Sequence, residues 1–144
     1  MTPPTEHAEQ VAVVRWADAM AGLFPPLGLL LAIPNGGART AVTGARLRAE
    51  GVRRGVPDLL LPVARRGHHG LWIELKRQGA TASRTTPQQR WWLERLREEG
   101  HSAHLCAGAR EAIETIEWYL GIGYAATRST RRAEPVGESN RGDG

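Results

Sequence analysis

The sequence predicts an α/β domain. Segments with helical spacing of apolar residues alternate with short apolar runs bounded by Pro, Gly and basic clusters, the pattern of helices packed on buried strands. At 144 residues and 41% hydrophobic content, the chain is long enough for one domain with its own core. That domain is expected to span 1–124. From 125 to 144 the composition turns to Thr, Arg, Ser, Gly, Glu and Pro without periodicity, which predicts a disordered basic and polar tail.

The first helix is predicted from Thr5 to about Gly22, with Thr5 as N-cap and acidic residues in the first turn. Glu6, Gln10, Val13, Ala17 and Met20 share one stripe, so Glu6 and Gln10 would extend the buried face, with Glu9 on an adjacent stripe. Helix-terminus electrostatics alone also accounts for Glu6. The apolar run Leu27 to Ile33 reads as a core strand over Leu29–Ile33, closed by the turn Pro34-Asn35-Gly36-Gly37. A second helix is predicted from about Thr40 to Glu50, ending at Gly51. Its Arg46 and Arg48, with Arg53 and Arg54 just beyond, form a basic cluster. Such a cluster is usually a solvated face; beside a carboxylate site it becomes a phosphate clamp.

Gly55 to Lys76 carries the chemistry. Gly55-Val56-Pro57-Asp58 leads into Leu59–Leu61, and a polar Arg/Gly/His turn leads into Leu71-Trp72-Ile73-Glu74-Leu75-Lys76, which predicts two paired strands. Side chains alternate, so Glu74 and Lys76 share a face opposite Leu71, Ile73 and Leu75. Pairing would bring Asp58 toward Glu74. Two poorly solvated carboxylates repel and raise at least one pKa unless a cation lies between them, and oxygen-only ligation suits magnesium (Mg2+) or manganese (Mn2+) better than zinc. Of 19 Lys and Arg residues, Lys76 is the single lysine. Where Arg meets the general need for positive charge, a lone lysine points to a compact ammonium suited to a water or a phosphate. The competing reading is a surface Glu74/Lys76 ion pair of little energetic worth.

Arg65, Arg66, His68 and His69 fall in the hairpin loop, where no Cys or acid stands close enough in sequence to suggest a metal site. After Lys76, Thr86-Pro87-Gln88-Gln89 predicts a capped helix with Pro at its first position and Gln89 where a capping box places Gln. Gln89 also shares a stripe with Trp92, Leu93 and Leu96, facing the sheet. Trp91 falls off that stripe and is expected at an interface. A fourth strand, Ser102 to Cys106, leaves His101 and His104 on opposite faces, and a last helix from about Ala109 to Leu120 packs Ile113, Ile116 and Leu120 inward. A single cysteine, Cys106, excludes an internal disulfide. No apolar run is long enough to span a bilayer, so the expectation is a soluble, cytoplasmic protein without a membrane partner. The net charge of +4 is compatible with a nucleic-acid partner.

An acid in the first helix, Pro-Asp on one strand, Glu-x-Lys on the next and Gln opening the following helix resemble the PD-(D/E)xK nuclease superfamily. Pro34-Asn35-Gly36, Gly51-Val52-Arg53-Arg54-Gly55-Val56-Pro57-Asp58, Trp72-Ile73-Glu74-Leu75-Lys76, Pro87-x-Gln89-x-x-Trp92-Leu93 and Gly100 are similar to its VRR-NUC family over roughly Glu6 to Leu120. The resemblance implies a restriction-endonuclease-like central mixed sheet flanked by helices, and divalent-metal-dependent hydrolysis of phosphodiester bonds in DNA. It implies Asp58 and Glu74 as metal ligands, with Glu6 (alternatively Glu9) as the helix-one acid. Lys76 would orient or activate the attacking water, and Gln89 would support the site. Asn35, Arg46, Arg48, Arg53 and Arg54 are the expected nucleic-acid contacts. Compact members resemble standalone phage-type nucleases that pair into dimers, some related to junction-resolving enzymes, so a homodimer and selectivity for a junction or flap are expected. The alternative is a non-catalytic DNA-binding module on a nuclease scaffold.

Overall fold

The computed structural model describes residues 2–34, 40–80 and 84–123. The elements are α1 (Glu6–Met20), a 3-10 turn (Pro25–Leu29), β1 (Leu31–Ala32), α2 (Ala41–Ala49), β2 (Leu59–Leu61), β3 (Leu71–Lys76), α3 (Pro87–Glu98), β4 (Ser102–Ala107) and α4 (Ala109–Leu120). The sheet runs β1-β2-β3-β4, antiparallel except for the parallel pair β3–β4, so it is mixed. A parallel pair requires a crossover, and α3 supplies it. Asn35 and the tail from 125 to 144 lie outside the described residues.

β3 is central and buried on both faces. Leu71, Ile73 and Leu75 join a core with Val13 and Ala17 of α1 and Ala112, Ile116 and Tyr119 of α4. Glu74 and Lys76 turn to the opposite face and meet α3 there. The β2–β3 loop turns through Arg66 and Gly67, both at positive φ (52° and 76°), between the bridged pair Arg65 and His68. This is the handedness a tight hairpin requires. Arg66 tolerates it because its guanidinium donates to the Trp118 carbonyl at 2.7 Å and lies 4.6 Å from the Trp118 ring centroid.

Two expectations from the sequence need correction. Leu29–Ile33 is not a core strand: Pro25-Pro26 start a 3-10 turn, only two residues pair as β1, and Leu29 and Leu31 are 53% and 41% exposed. Within the described residues β1 is the sheet's edge, so of the apolar run there Leu27 is buried in the core and Leu30 packs against it half-buried. In α1, Glu9 rather than Glu6 extends the buried stripe with Val13 and Ala17, because the start of α4 packs over it. α2 buries no residue, so its arginines face solvent.

Tyr119 ties the hairpin loop to α4: its hydroxyl donates to the Val63 carbonyl at 2.5 Å and accepts from the Arg65 N–H at 3.2 Å. Tyr119→Phe leaves the buried Val63 carbonyl without that donor, while the Arg65 N–H keeps the His68 carbonyl at 3.2 Å, and is expected to lower stability by about 1–3 kcal/mol. Urea unfolding measures this, and an unchanged midpoint would show that water replaces the hydroxyl.

Candidate active site

The site begins where the β2–β3 ladder stops. The register pairs Leu59 with Ile73, and continuing it sets Asp58 opposite Glu74 and Pro57 opposite Leu75. Proline has no N–H to contribute to a ladder. The Asp58 carboxylate instead accepts the Leu75 N–H at 2.8 Å, while its own carbonyl accepts from Ile33 at 2.8 Å. Both bonds hold Asp58 beside the end of β3.

Glu74 is only 3% exposed. Its Oε1 accepts from Gln89 Nε2 at 2.7 Å and lies 3.6 Å from Lys76 Nζ. Lys76 Nζ donates to Gln89 Oε1 at 3.1 Å. The chemistry of the partners sets the amide's orientation, since a carboxylate only accepts and an ammonium only donates. Gln89 Oε1 also accepts the Thr86 N–H at 2.9 Å, and the Thr86 hydroxyl accepts the Gln89 N–H at 3.2 Å. The capping box that starts α3 and the bridge between Glu74 and Lys76 are therefore the same side chain. An exposed glutamine on a helix would sample several rotamers; here the cap fixes it.

Burial, then the Asp58 charge, pushes the Glu74 carboxyl up to about 8, against the pull of Lys76. Asp58 is also raised, chiefly by burial, despite the Leu75 hydrogen bond. Glu6, exposed on the first turn of α1, adds its charge to both, so it stands near the pair without being buried with it. Glu9 goes elsewhere: its carboxylate accepts the Ala109 N–H at the start of α4. No group of three or more His, Cys, Asp or Glu side chains among the described residues is assembled closely enough to hold a metal ion.

A folded state that holds the Glu74 proton up to about 8, against 4.5 for the free side chain, binds more protons than the unfolded chain across that window. Stability then falls as pH rises through it. Thermal melts in EDTA are expected to show a declining Tm over that window and a flatter profile for Glu74→Gln, which keeps an acceptor for Gln89. Identical slopes in the two proteins would remove Glu74 as the cause.

Of the other residues singled out in the sequence, Arg46 pairs with Glu50 at 3.1 Å and Arg53 donates to the Arg48 carbonyl at 3.0 Å, all on an exposed surface. Arg54 is exposed, and its carbonyl accepts the Trp92 indole N–H at 3.1 Å. His101 accepts from the Trp72 indole at 3.3 Å and His104 pairs with the Ser102 hydroxyl at 2.7 Å, so the histidines do not share a site. Sequence reasoning missed the contact of Gly55 with α3: a Cβ there would lie 2.7 Å from the Gln88 backbone. The Gly-Val-Pro-Asp spacing was its only visible signal.

Among the described residues no helix is long and apolar enough to cross a membrane. The family model of the VRR-NUC domain matches residues 6–110. A solved structure described as a VRR_NUC domain protein is similar with a TM-score of 0.71 and 29% identity, covering 85% of this chain and 93% of that one. No curated protein matches the chain. The mixed sheet and flanking helices form a restriction-endonuclease-like α/β fold of nuclease type. The match covers most of the ordered elements, including Asp58, Glu74, Lys76 and Gln89, and the chain belongs to the VRR-NUC domain family.

Proposed function

We propose that this chain is a divalent-metal-dependent DNA endonuclease of the PD-(D/E)xK superfamily, active as a cytoplasmic homodimer and selective for a branched substrate such as a junction or flap. One observation carries the reading: Asp58 stands across the register from Glu74, and Glu74, Lys76 and Gln89 form one hydrogen-bonded cluster. A buried Glu74 carboxyl raised by burial and by the Asp58 charge, beside a half-buried Asp58 raised chiefly by burial, makes a site short of positive charge. Their oxygen donors fit magnesium or manganese.

Asp58 and Glu74 would hold the ion, with Glu6 at the rim. When bound, a divalent cation stabilises the charge that grows on phosphate oxygens and lowers the pKa of a coordinated water. Lys76 shares its ammonium with Gln89 and Glu74 and retains a donor for the attacking water or the scissile phosphate. Gln89 keeps that ammonium in place through the α3 cap. Arg46, Arg48, Arg53 and Arg54 would meet backbone phosphates, contacts that position a duplex without reading its sequence.

The test is incubation of purified protein with labelled supercoiled, linear, flapped and four-way-junction DNA in magnesium, manganese or EDTA, with Lys76→Ala alongside. Metal-dependent cleavage lost in the variant is expected. DNA binding without cleavage under any metal would instead favour a non-catalytic DNA-binding module.

A further inference from the structure

A cleft of about 280 Å³ opens on the first turns of α3, lined by Arg54, Pro87, Gln88, Trp91 and Trp92. Trp91 is 51% exposed, a large aromatic surface at a position where solvent exposure is unfavourable. Its ring is held in place from within: it stands edge-on to Trp92, with centroids 5.4 Å apart and an interplanar angle of 87°. Trp92 is in turn pinned by its indole N–H to the Arg54 carbonyl. The Arg95 guanidinium lies 5.8 Å from the Trp91 centroid, but its charge is spent on Glu98 at 2.8 Å and Glu94 at 3.7 Å. The Arg54 guanidinium makes no hydrogen bond or ion pair among the described residues, so the cleft is lined by one uncommitted cation and no acid.

The cleft and the catalytic cluster both draw on the first turn of α3. Gln88 lines the cleft, and Gln89 beside it bridges Glu74 and Lys76. Gly55, next to Arg54, packs on the backbone of both glutamines. Trp91 follows Gln89 by two residues and lies about 200° around the helix from it, so a strand whose phosphate reaches the cluster meets Trp91 only after passing round the start of α3. Aromatic faces bind bases by stacking only when those bases are free of their own duplex stack. A volume at the small end for ligand sites suits one flat ring system rather than a base pair.

We infer that this cleft is a base-stacking subsite, in which Trp91 receives one unpaired nucleobase of the bound DNA and Arg54 holds that nucleotide's phosphate. The inference rests on the nuclease reading and adds a residue-level source of selectivity for DNA that carries an unpaired nucleotide.

Fluorescence anisotropy in EDTA, with a fully paired duplex and the same duplex carrying a short unpaired flap, measures the ratio of the two Kd values. The wild type is expected to prefer the flapped DNA. Trp91→Ala is expected to lower that preference about tenfold, the loss of one base–aromatic stack, and Trp91→Phe to retain most of it. Trp91 is exposed, so the variants are expected to fold, and circular dichroism checks this. A wild type that cuts DNA with magnesium while Trp91→Ala keeps the full preference overturns the subsite alone. A wild type that neither binds nor cuts DNA overturns the nuclease reading with it. A change in sedimentation for Trp91→Ala would make Trp91 a contact between chains and also overturn the subsite.

Discussion

Asp58→Ala is expected to lower metal-dependent DNA cleavage by roughly a thousandfold or more, the rate equivalent of several kcal/mol of lost charge stabilisation, while far-UV circular dichroism and DNA affinity stay close to wild type. The retained fold follows from position. Asp58 lies before β2, and of its two strand contacts the carbonyl bond to Ile33 survives the substitution. The Leu75 N–H loses its acceptor at a residue that is 2% exposed, at an expected cost of about 1–3 kcal/mol. DNA affinity is retained because the proposed phosphate contacts are arginines elsewhere, and removing an acid next to a polyanion does not weaken binding. Asp58→Asn separates the two roles of the side chain, since its amide oxygen still accepts from Leu75 but the charge is gone. Cleavage near the wild-type rate by either purified variant would end the assignment of Asp58 as a ligand.

Gly55→Ala is expected to destabilise the fold by roughly 2–5 kcal/mol, the sum of left-handed backbone strain and overpacking. Gly55 has φ of 89°, and an added Cβ would lie 2.7 Å from Gln88 C and Cβ and 2.9 Å from Gln89 N. These are mostly backbone atoms of a capped helix start, which have nowhere to go without moving α3. Gly67→Ala is the control: it shares positive φ (76°) but would meet nothing within 4 Å, so only the conformational cost, about 1 kcal/mol, is expected. Urea unfolding of the two variants separates sterics from backbone strain, and equal losses would show that the α3 contact is soft. Where Gly55→Ala still folds, cleavage is expected to fall further than stability alone explains. Displacing the first turn of α3 draws Gln89 away from Lys76, and misplacement on the ångström scale costs about a hundredfold.

The candidate site residues were legible to the extent that local periodicity governed their placement. Strand alternation puts Glu74 and Lys76 on one face whatever the fold does around them, and Thr86-Pro87-x-Gln89 encodes a helix start in its own atoms. Such signals depend on neighbours a few residues away, so they can be read without coordinates. Glu6 and Glu9 show the limit. Both lie near the edge of the same apolar stripe, and the choice between them depends on where α4 begins in space, far along the chain, because its Ala109 N–H takes Glu9. Leu29 and Leu31 show it again, since an apolar run is buried only if something packs on it.

By itself, then, the sequence determined the α/β class, the start of α3, the boundaries of α4, the β2–β3 hairpin and the candidate set Asp58, Glu74, Lys76 and Gln89, all encoded by residue types at short spacing. Only the tertiary structure decided that Gln89 bridges Glu74 and Lys76 from its capping position, that Gly55 locks the Arg54 segment onto α3, and that Trp91 remains open on α3. Each depends on close approach between segments distant in the chain, and the free energy of such contacts comes from burial and distance, which no local pattern records.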